Sequence, residues 1–535
     1  MKRIKKFLLS FISAMLIATM FTSNLNALDI NSEFIQNVNT ANTFGYVNYE
    51  TDQFETYSNV EGSAGNYTSI ASKIYKPLSG DTLIVVFHGN GEGGVDGICN
   101  NYAQLAGNRL AVTYTTDELQ SAFKGAYVLA FQAPDYWYND YTQQAKAIID
   151  QAVDEFNIKE VFISGLSAGG LMSQRMLATY GNYFSGALIS CSAIAKNDQY
   201  IEGLGGDYSN TTEYLDANDP YTDGKTFKKP NDYDQYLNNY NIWLENIAKS
   251  NVPIFMVHCY NDPTIYYKWT ELAYNTIKNY RETNGLDGDV YCGLIENVSY
   301  PDETYSNGHW SWIKMLNGDV YASTDTGLDT ITWFKSLSTS TNTYQPKLVS
   351  NQVSQPVDKA NTYTYNLIAT VTNSGEKITS IEINMNGKKV DSTKLTPEMF
   401  KITGYNTDAS GLAVGNVTSE GIFGTVDNPI NIDVEKVSVN EQGNIVLDLA
   451  TQKGVLNYTS LSRNLTTNIR YDIADTVLPF IDENSSSTSN NIAKSVKTGD
   501  SVNTVLTGSI MIISLIIIIT INKRVCQEKC VSFLS

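Results

Sequence analysis

Cysteine and histidine are scarce in this chain, and their scarcity argues against two common kinds of site. Six cysteines and three histidines occur among 535 residues, and no two cysteines form a Cys-x-x-Cys pair. We therefore expect neither a disulfide framework nor a zinc motif, although a single Cys99–Cys292 bridge stays open. No metal and no cofactor are predicted.

Basic residues are also too few to balance the acidic ones. The chain has 37 lysines and arginines against 56 aspartates and glutamates, which gives a formal net charge of −19. Such a surface repels phosphate backbones, so nucleic acid is not an expected partner. The length exceeds what one hydrophobic core supports, so two or more domains are expected.

The N-terminus has the pattern of a secretory signal peptide. Basic residues at 2–6 precede an apolar run at 7–20, and small and polar residues continue to Ala27. This order of a basic, an apolar and a small-residue region predicts a signal peptide over residues 1–27.

The C-terminus carries a second targeting pattern. The apolar segment 505–521 is followed by Lys523 and Arg524. As a helix it would be roughly 26 Å long, slightly shorter than a hydrocarbon core of about 30 Å. The preceding "SVKTGD" resembles a sortase cell-wall sorting signal, which implies cleavage between Thr498 and Gly499, with sortase and cell-wall peptidoglycan as partners. Ser and Val stand where such signals have Leu and Pro, so a plain membrane anchor remains the alternative; both predict an extracellular, cell-surface protein.

Between these ends, two regions differ in their hydrophobic pattern. Near-continuous apolar runs, typical of parallel strands covered on both faces, alternate with amphipathic helical patterns up to about residue 338. Beyond a Ser/Thr-rich linker, strict alternation, as in "YTYNLIATV", predicts an antiparallel Ig-like sandwich. The predicted divisions are a signal peptide (1–27), a mostly parallel α/β domain (30–338), a linker (339–350), a β-sandwich (351–480), a flexible spacer (481–498) and an anchor (499–535).

The segment "VFISGLSAGG" raises the possibility of a catalytic serine. Gly-x-Ser-x-Gly between a strand and a helix is typical of a nucleophile elbow, with Ser167 in the turn. A simple turn of small residues is the alternative interpretation. A hydrolytic serine also needs a base, a carboxylate to orient that base, and N–H donors for the oxyanion.

Downstream strand ends offer the acid and the base. Asp262 follows the apolar run 252–259, and His309 lies in a loop after the run 289–296. The order Ser, acid, His along the chain suits an α/β-hydrolase. Asp302 is a rival for the acid, whereas His258 lies inside an apolar run and is interpreted as a buried, hydrogen-bonded core residue.

The glycine-rich segment "HGNGEGG" after an early strand suits an oxyanion hole, because glycines let amides approach a developing charge. The predicted donors are the backbone amides of Asn90 or Gly91 and of Ala168. The segment has no Gly-Lys-Ser/Thr, so a phosphate-binding P-loop is excluded.

Taken in order, "FHGNGEGG", "AYVLAFQAP", "FISGLSAGG", "VPIFMVHCYNDPT" and "GHWSW" resemble an α/β-hydrolase. The closest likeness is to the extracellular esterases related to feruloyl esterases, polyhydroxybutyrate depolymerases and the prolyl oligopeptidase catalytic domain. The resemblance covers roughly residues 46–338 and implies a Ser167–Asp262–His309 triad. The sandwich resembles the Ig-like module of such esterases, although there the module usually precedes the hydrolase.

The substrate is predicted from aromatic residues near the strand ends. Tyr136, Trp137 and Trp310 are expected to contact substrate, because aromatic walls suit aryl acyl groups and sugar rings. We therefore expect a serine carboxylic-ester hydrolase acting on small esters or acylated carbohydrates. A prolyl oligopeptidase-like peptidase and a catalytically inert surface-binding or adhesin protein are the alternatives.

Overall fold

A computed structural model of the chain describes most of residues 46–481, and these lie in one compact unit. The described residues are 34–35, 46–58, 70–94, 99–134, 136–194, 200–206, 214–215, 219, 227–300, 303–322, 327–346, 363–406, 429–454, 456–458, 464–466, 469–474 and 476–481. The predicted signal peptide, spacer and anchor lie outside this part of the chain, apart from Ile481, the first residue of the spacer.

The centre of the first region is an eight-stranded sheet. Its strands are β1 (Phe54–Ser58), β2 (Ala71–Tyr75), β3 (Thr82–Phe87), β4 (Ala126–Gln132), β5 (Glu160–Leu166), β6 (Gly186–Ser190), β7 (Ile254–Cys259) and β8 (Val290–Ile295). Their spatial order is β1-β2-β4-β3-β5-β6-β7-β8. β2 pairs antiparallel with both β1 and β4, whereas all the pairs from β4 to β8 in this order are parallel.

Helices cover both faces of this sheet. They are α1 (Ala103–Ala106), α2 (Leu110–Thr113), α3 (Asp117–Ala122), α4 (Thr142–Phe156), α5 (Ala168–Tyr180), α6 (Tyr233–Lys249), α7 (Lys268–Asn284), α8 (Ser311–Leu316) and α9 (Thr330–Ser336). Helices α4 to α7 pack on the face that receives Leu83, Val85 and Phe87. The short helices α1 to α3, α8 and α9 pack on the face that receives Ile84 and Val86.

This two-sided burial explains the near-continuous apolar runs of the sequence, because successive residues of a strand enter opposite cores. The predicted mostly parallel α/β-hydrolase fold is confirmed. Strands β1 and β2 were not predicted, since their sequences, "FETYS" and "ASKIY", mix polar and apolar residues without a clear period.

The C-terminal described residues form two antiparallel sheets. Their strands are β9 (Tyr365–Thr372), β10 (Gly375–Ile383), β11 (Ile402–Asn406), β12 (Ile430–Ile432), β13 (Val434–Val439), β14 (Ile445–Gly454) and β15 (Ile469–Ile473). The orders are β9-β10-β14-β13 and β12-β11-β15. Inward residues such as Leu367, Ile381, Ile402 and Tyr471 share one core, as the period of two predicts.

A buried polar cluster joins these sheets to the part of the chain that contains the eight-stranded sheet. The Glu376 carboxylate, on β10, accepts hydrogen bonds from the Tyr46 hydroxyl at 2.8 Å, the Tyr102 hydroxyl at 2.5 Å and the Asn48 side-chain amide. Val47 forms backbone hydrogen bonds with the outer edge of β9, at Leu367 O and Ala369 N. Burial raises the pKa of Glu376 despite these hydrogen bonds.

The remaining elements are short. Two-stranded ribbons pair Phe34–Ile35 with Thr476–Val477, Tyr214–Leu215 with Phe227–Lys228, Ser299–Tyr300 with Glu303–Ser306, and Leu456–Tyr458 with Asn464–Thr466. Single 3-10 turns occur at Asn90–Glu92, Gly181–Tyr183, Gly308–Trp310, Ser392–Lys394 and Pro397–Met399. Within the described ranges, no helix is long and apolar enough to span a bilayer, and segment 505–521 lies outside them. Cys99 and Cys292 are both free thiols, so the bridge left open by the sequence is not formed.

Candidate active site

The parallel strands bring several loops to one edge of the sheet. Phe87 at the end of β3 pairs with Gly165, and Leu166 at the end of β5 pairs with Ser190 at the end of β6. The chain segments that leave these strands therefore emerge side by side, together with the loop after β7. Side chains distant in sequence meet at this edge.

Ser167 occupies a strained turn between β5 and α5. Its backbone angles are φ 52° and ψ −119°, a region that a non-glycine residue rarely occupies. A Cβ at Gly165 would overlap the carbonyl of Gly169, and a Cβ at Gly169 would overlap the carbonyl of Phe87. Both glycines are thus required by close packing, and the turn has the geometry of a nucleophile elbow.

A hydrogen-bonded chain leads from this serine to a carboxylate. The Ser167 hydroxyl lies 2.9 Å from His309 Nε2, and His309 Nδ1 lies 2.8 Å from Asp262 Oδ2. Because a carboxylate only accepts, Nδ1 carries the ring proton and Nε2 accepts from the serine hydroxyl. The structure therefore brings together the three residues that the sequence predicted as a triad, whereas the rival Asp302 lies outside the described residues.

Asp262 is buried and has a full set of donors. Its Oδ1 accepts from the backbone amides of Thr264 at 2.7 Å and Ile265 at 2.9 Å. Its Oδ2 accepts from His309 and, at 3.0 Å, from Nε2 of His258. Burial alone would raise the pKa of Asp262, but the charge of His309 and the hydrogen bonds from both histidines outweigh it, so the pKa is lowered.

The loop that carries His309 is held from several sides. The Asn307 side chain accepts from the His309 backbone amide at 3.0 Å. A Cβ at Gly308 would overlap Asn261, so the backbone passes close to the loop after β7. The Ser311 hydroxyl lies 2.8 Å from that of Ser190 at the end of β6. These contacts fix the imidazole between the serine and the carboxylate.

The glycine-rich loop after β3 lies beside the serine, as the oxyanion-hole prediction requires. Asn90 and Gly91 line the same cavity as Ser167 and Ala168. Ala168 is the first residue of α5, and no intrahelical carbonyl is available to an amide at that position. His88 supports the loop, since its Nδ1 pairs with Gly89 O while its Nε2 accepts from the Ala133 amide at 3.0 Å.

The cavity next to Ser167 is small and partly aromatic. Its volume is about 160 Å³. It is lined by Gly89, Asn90, Gly91, Glu92, Tyr138, Leu166, Ser167, Ala168, Ala193, Thr264, Ile265, His309, Trp310 and Trp312. Trp310 therefore occupies the position that the sequence predicted. Tyr136 does not line the cavity but stacks on Tyr138, which does, with ring centroids 5.1 Å apart.

Trp137 requires a correction. The structure places its ring in the hydrophobic core, fully buried, against Phe87 and Tyr141. Its Nε1 donates to His88 O at 3.1 Å. The residue has φ 66°, so the backbone turns this ring inward and its neighbour Tyr138 towards the cavity. Trp137 supports the oxyanion loop and does not contact the cavity.

Two residues of the site were not identified from the sequence in this role. His258 was interpreted as a buried, hydrogen-bonded core residue, and it is one, but its partner Asp262 was not predicted; the spacing His-x-x-x-Asp across a strand end was the available signal. Cys191, just after β6, offers an Sγ within 4.8 Å of ligand atoms of Asp262 and His309. Burial raises the pKa of this thiol, so it is neutral.

Comparison with known proteins shows that part of the chain is similar to one family. Residues 123–290 match the model of the prolyl oligopeptidase family, Peptidase_S9. That stretch contains Ser167 and Asp262 but ends before His309. A comparison with curated protein sequences gives no match.

The solved structures that this chain matches include esterases and a peptidase. A thermostable esterase is 20% identical over 50% of this chain and 61% of its own, with a TM-score of 0.34. Est1E from Butyrivibrio proteoclasticus is 16% identical over 45% and 88%, with a TM-score of 0.28. The acylaminoacyl peptidase of Pyrococcus horikoshii is 12% identical over 47% and 37%, with a TM-score of 0.29. This chain thus spans about 61% of the length of the thermostable esterase.

The sheet order and the strained serine turn define an α/β-hydrolase fold. The hydrogen-bonded chain from Ser167 through His309 to Asp262 has the geometry of a serine-hydrolase site.

Proposed function

We propose that this chain is a secreted, surface-anchored serine esterase that cleaves carboxylic esters through an acyl-enzyme. The observation that carries the proposal is the continuous contact from the Ser167 hydroxyl through His309 to the buried Asp262. Such a chain makes a hydroxyl nucleophilic, because the imidazole accepts its proton while the carboxylate stabilises the imidazolium.

The mechanism follows from which atoms face the cavity. The Ser167 oxygen attacks the ester carbonyl, and its proton moves to His309 Nε2. Amides of Asn90 or Gly91 and of Ala168 stabilise the oxyanion, and loss of one such donor costs about 2.7–4 kcal/mol of transition-state stabilisation. His309 then protonates the leaving alcohol. Water repeats the attack on the acyl-enzyme and regenerates the serine.

The substrate is proposed from the size and lining of the cavity. A volume of about 160 Å³ suits a small acyl group rather than a long fatty chain. Trp310 and Trp312 form an aromatic wall beside His309, a surface on which sugar or aryl rings stack. We propose short or aromatic esters, including acylated carbohydrates, as the substrate class.

A peptidase is the second candidate, and the match of residues 123–290 to the prolyl oligopeptidase family favours it. Ester and amide cleavage use the same triad, so a substrate panel must decide between them. It would compare p-nitrophenyl esters, feruloyl and acetylated sugars and a proline-containing peptide. Preference for the peptide would replace the esterase proposal.

The cell-surface location and the Ig-like nature of the C-terminal sheets remain proposals that rest on the sequence patterns. A cleaved sorting signal would leave Thr498 as the last residue, joined to peptidoglycan. Mass spectrometry of C-terminal peptides released from cell walls tests this. Peptides that continue past Gly499 in the membrane fraction would favour a plain anchor.

The enzyme proposal is tested by labelling with a fluorophosphonate probe, which reacts with activated serines. The wild type should be labelled, and Ser167→Ala should abolish both labelling and ester hydrolysis. Ser192→Ala is the matched control, because Ser192 is also buried and packs near α5 at Gly170. An unlabelled wild-type protein that hydrolyses neither esters nor peptides would favour the inert, surface-binding alternative.

A further inference from the structure

A second histidine, His258, contacts the same carboxylate oxygen of Asp262 that His309 contacts. His258 lies at the fifth position of β7 and is completely buried. Its Nε2 is 3.0 Å from Asp262 Oδ2 and 3.2 Å from the carbonyl oxygen of Ile265. Its Nδ1 is 2.8 Å from the hydroxyl of Thr270, on α7.

The partners of this ring determine where its proton lies. A carboxylate and a carbonyl oxygen only accept, so Nε2 must carry a hydrogen. With the hydrogen on Nε2, we expect the Thr270 hydroxyl to donate to Nδ1. The other two histidines have the opposite arrangement, since His309 Nδ1 faces Asp262 and His88 Nε2 accepts from an amide.

We propose that His258 is a positioning residue for catalysis, which holds Asp262 ionised and oriented so that Oδ2 faces His309. This inference rests on the proposed serine hydrolase mechanism. Two imidazoles share Oδ2, while two backbone amides occupy Oδ1. Without the donor from His258, Oδ2 would have one partner fewer in a buried site, and the 262–265 turn would lose one of its hydrogen-bonded contacts with β7.

If His258 only filled space in the core, its two ring nitrogens would not need hydrogen-bond partners. Leucine or phenylalanine fills a buried strand position without a polar partner to satisfy, whereas each nitrogen of His258 has one. Among the described residues, the thiols of Cys191 and Cys259 also interact electrostatically with Asp262. Burial raises the pKa of both thiols, so neither brings a charge near neutral pH.

The kinetic test compares His258→Leu with His258→Gln, whose amide nitrogen can reach the place of Nε2. For p-nitrophenyl acetate, His258→Leu should lower kcat about ten- to hundredfold, the range expected for one hydrogen bond to a charged group, with KM little changed. His258→Gln should recover most of the loss.

The pH dependence of kcat/KM distinguishes a positioning role of His258 from a packing role. Without the donor, the Asp262 carboxylate is less stabilised and favours the protonated form of His309 more strongly. The acid limb of kcat/KM should therefore move to higher pH by about half to one unit in His258→Leu and return towards wild type in His258→Gln. A lower rate with an unmoved acid limb, or equal losses in both variants, would overturn the proposal.

A measurement independent of turnover uses the ring nitrogens. With three histidines in the chain, ¹⁵N-histidine NMR of the full chain can resolve every ring, and His258→Gln assigns its signal by loss. His258 should be protonated at Nε2 and unprotonated at Nδ1, the reverse of His309 and His88. A wild-type His258 without a hydrogen on Nε2 would overturn the proposal, even if His258→Leu failed to fold. An inactive wild type with the expected ring states would count against the hydrolase function instead.

Discussion

Replacement of Asp262 by asparagine should inactivate the site by moving the proton of His309 to the wrong nitrogen. Oδ1 of Asp262 accepts from two backbone amides, so the asparagine oxygen must take that position. Its NH₂ group then faces Nδ1 of His309, which is 2.8 Å from Oδ2 in the wild type. Two N–H donors cannot pair. His309 would therefore carry its hydrogen on Nε2 and could not accept the proton of Ser167.

The expected loss of kcat follows from this move of the His309 hydrogen from Nδ1 to Nε2. In a serine protease triad the same replacement lowers kcat by about 10⁴-fold, or roughly 5 kcal/mol in activation free energy. Here His258 also points an N–H at the new amide, so nothing stabilises the productive tautomer. We expect a 10³- to 10⁴-fold loss of kcat. KM should change little, because Asp262 is buried and does not line the cavity.

The assay is steady-state hydrolysis of p-nitrophenyl acetate at pH 7 by the full chain, with circular dichroism to check folding. Asp302→Asn is the matched control, since the sequence left Asp302 as a rival acid. It should retain wild-type kcat. A loss of less than about tenfold in a folded Asp262→Asn protein, or an equal loss in Asp302→Asn, would refute the tautomer argument.

Three further results are expected. Glu376→Ala should lower the free energy of urea unfolding by about 2–4 kcal/mol, because one buried donor, Asn48, and two half-buried donors, Tyr46 and Tyr102, lose their acceptor. Trp310→Ala should lower kcat/KM for feruloyl esters about three- to tenfold through loss of an aromatic contact, and affect acetyl esters less. Because the pKa of Asp262 is lowered in the folded state, its ionisation stabilises the fold above about pH 4, and this stabilisation should be lost as the pH falls further.

Each of these expectations has a control. Glu376→Gln keeps one acceptor oxygen and should lose less stability than Glu376→Ala; equal losses would contradict the hydrogen-bond explanation. Trp333→Phe alters a core tryptophan away from the cavity, so a similar change in specificity would show that Trp310 acts through the core. For Asp262, the stability gap between wild type and Asp262→Asn should narrow on acidification from pH 6 to pH 3. A gap that widens would contradict the lowered pKa.

Features that depend on local pattern could be predicted from the sequence. Strand β7, Ile254–Cys259, lies within the apolar run 252–259, and strand β4, Ala126–Gln132, lies within the quoted segment "AYVLAFQAP". These strands are buried on both faces, so apolar character alone marks them. Ser167 was found because the close packing of β3, β5 and α5 requires glycine on both sides of it, which leaves a visible signature.

Features that depend on which way one side chain turns could not be predicted. In "YWYND" any of three aromatic rings could face the cavity, and the positive φ of Trp137, which turns that ring into the core, has no local sequence signal. His258 shows the same limit, because its burial could be predicted but its hydrogen-bond partner could not. An apolar run identified it as buried, and burial was correct. The hydrogen-bond partner of His258, however, depends on how the turn after β7 places Asp262. That turn is held by the backbone amides of Thr264 and Ile265. Backbone amides leave no specific signal in the sequence. Periodicity thus locates a buried polar residue, whereas its function depends on which buried charge the fold places next to it.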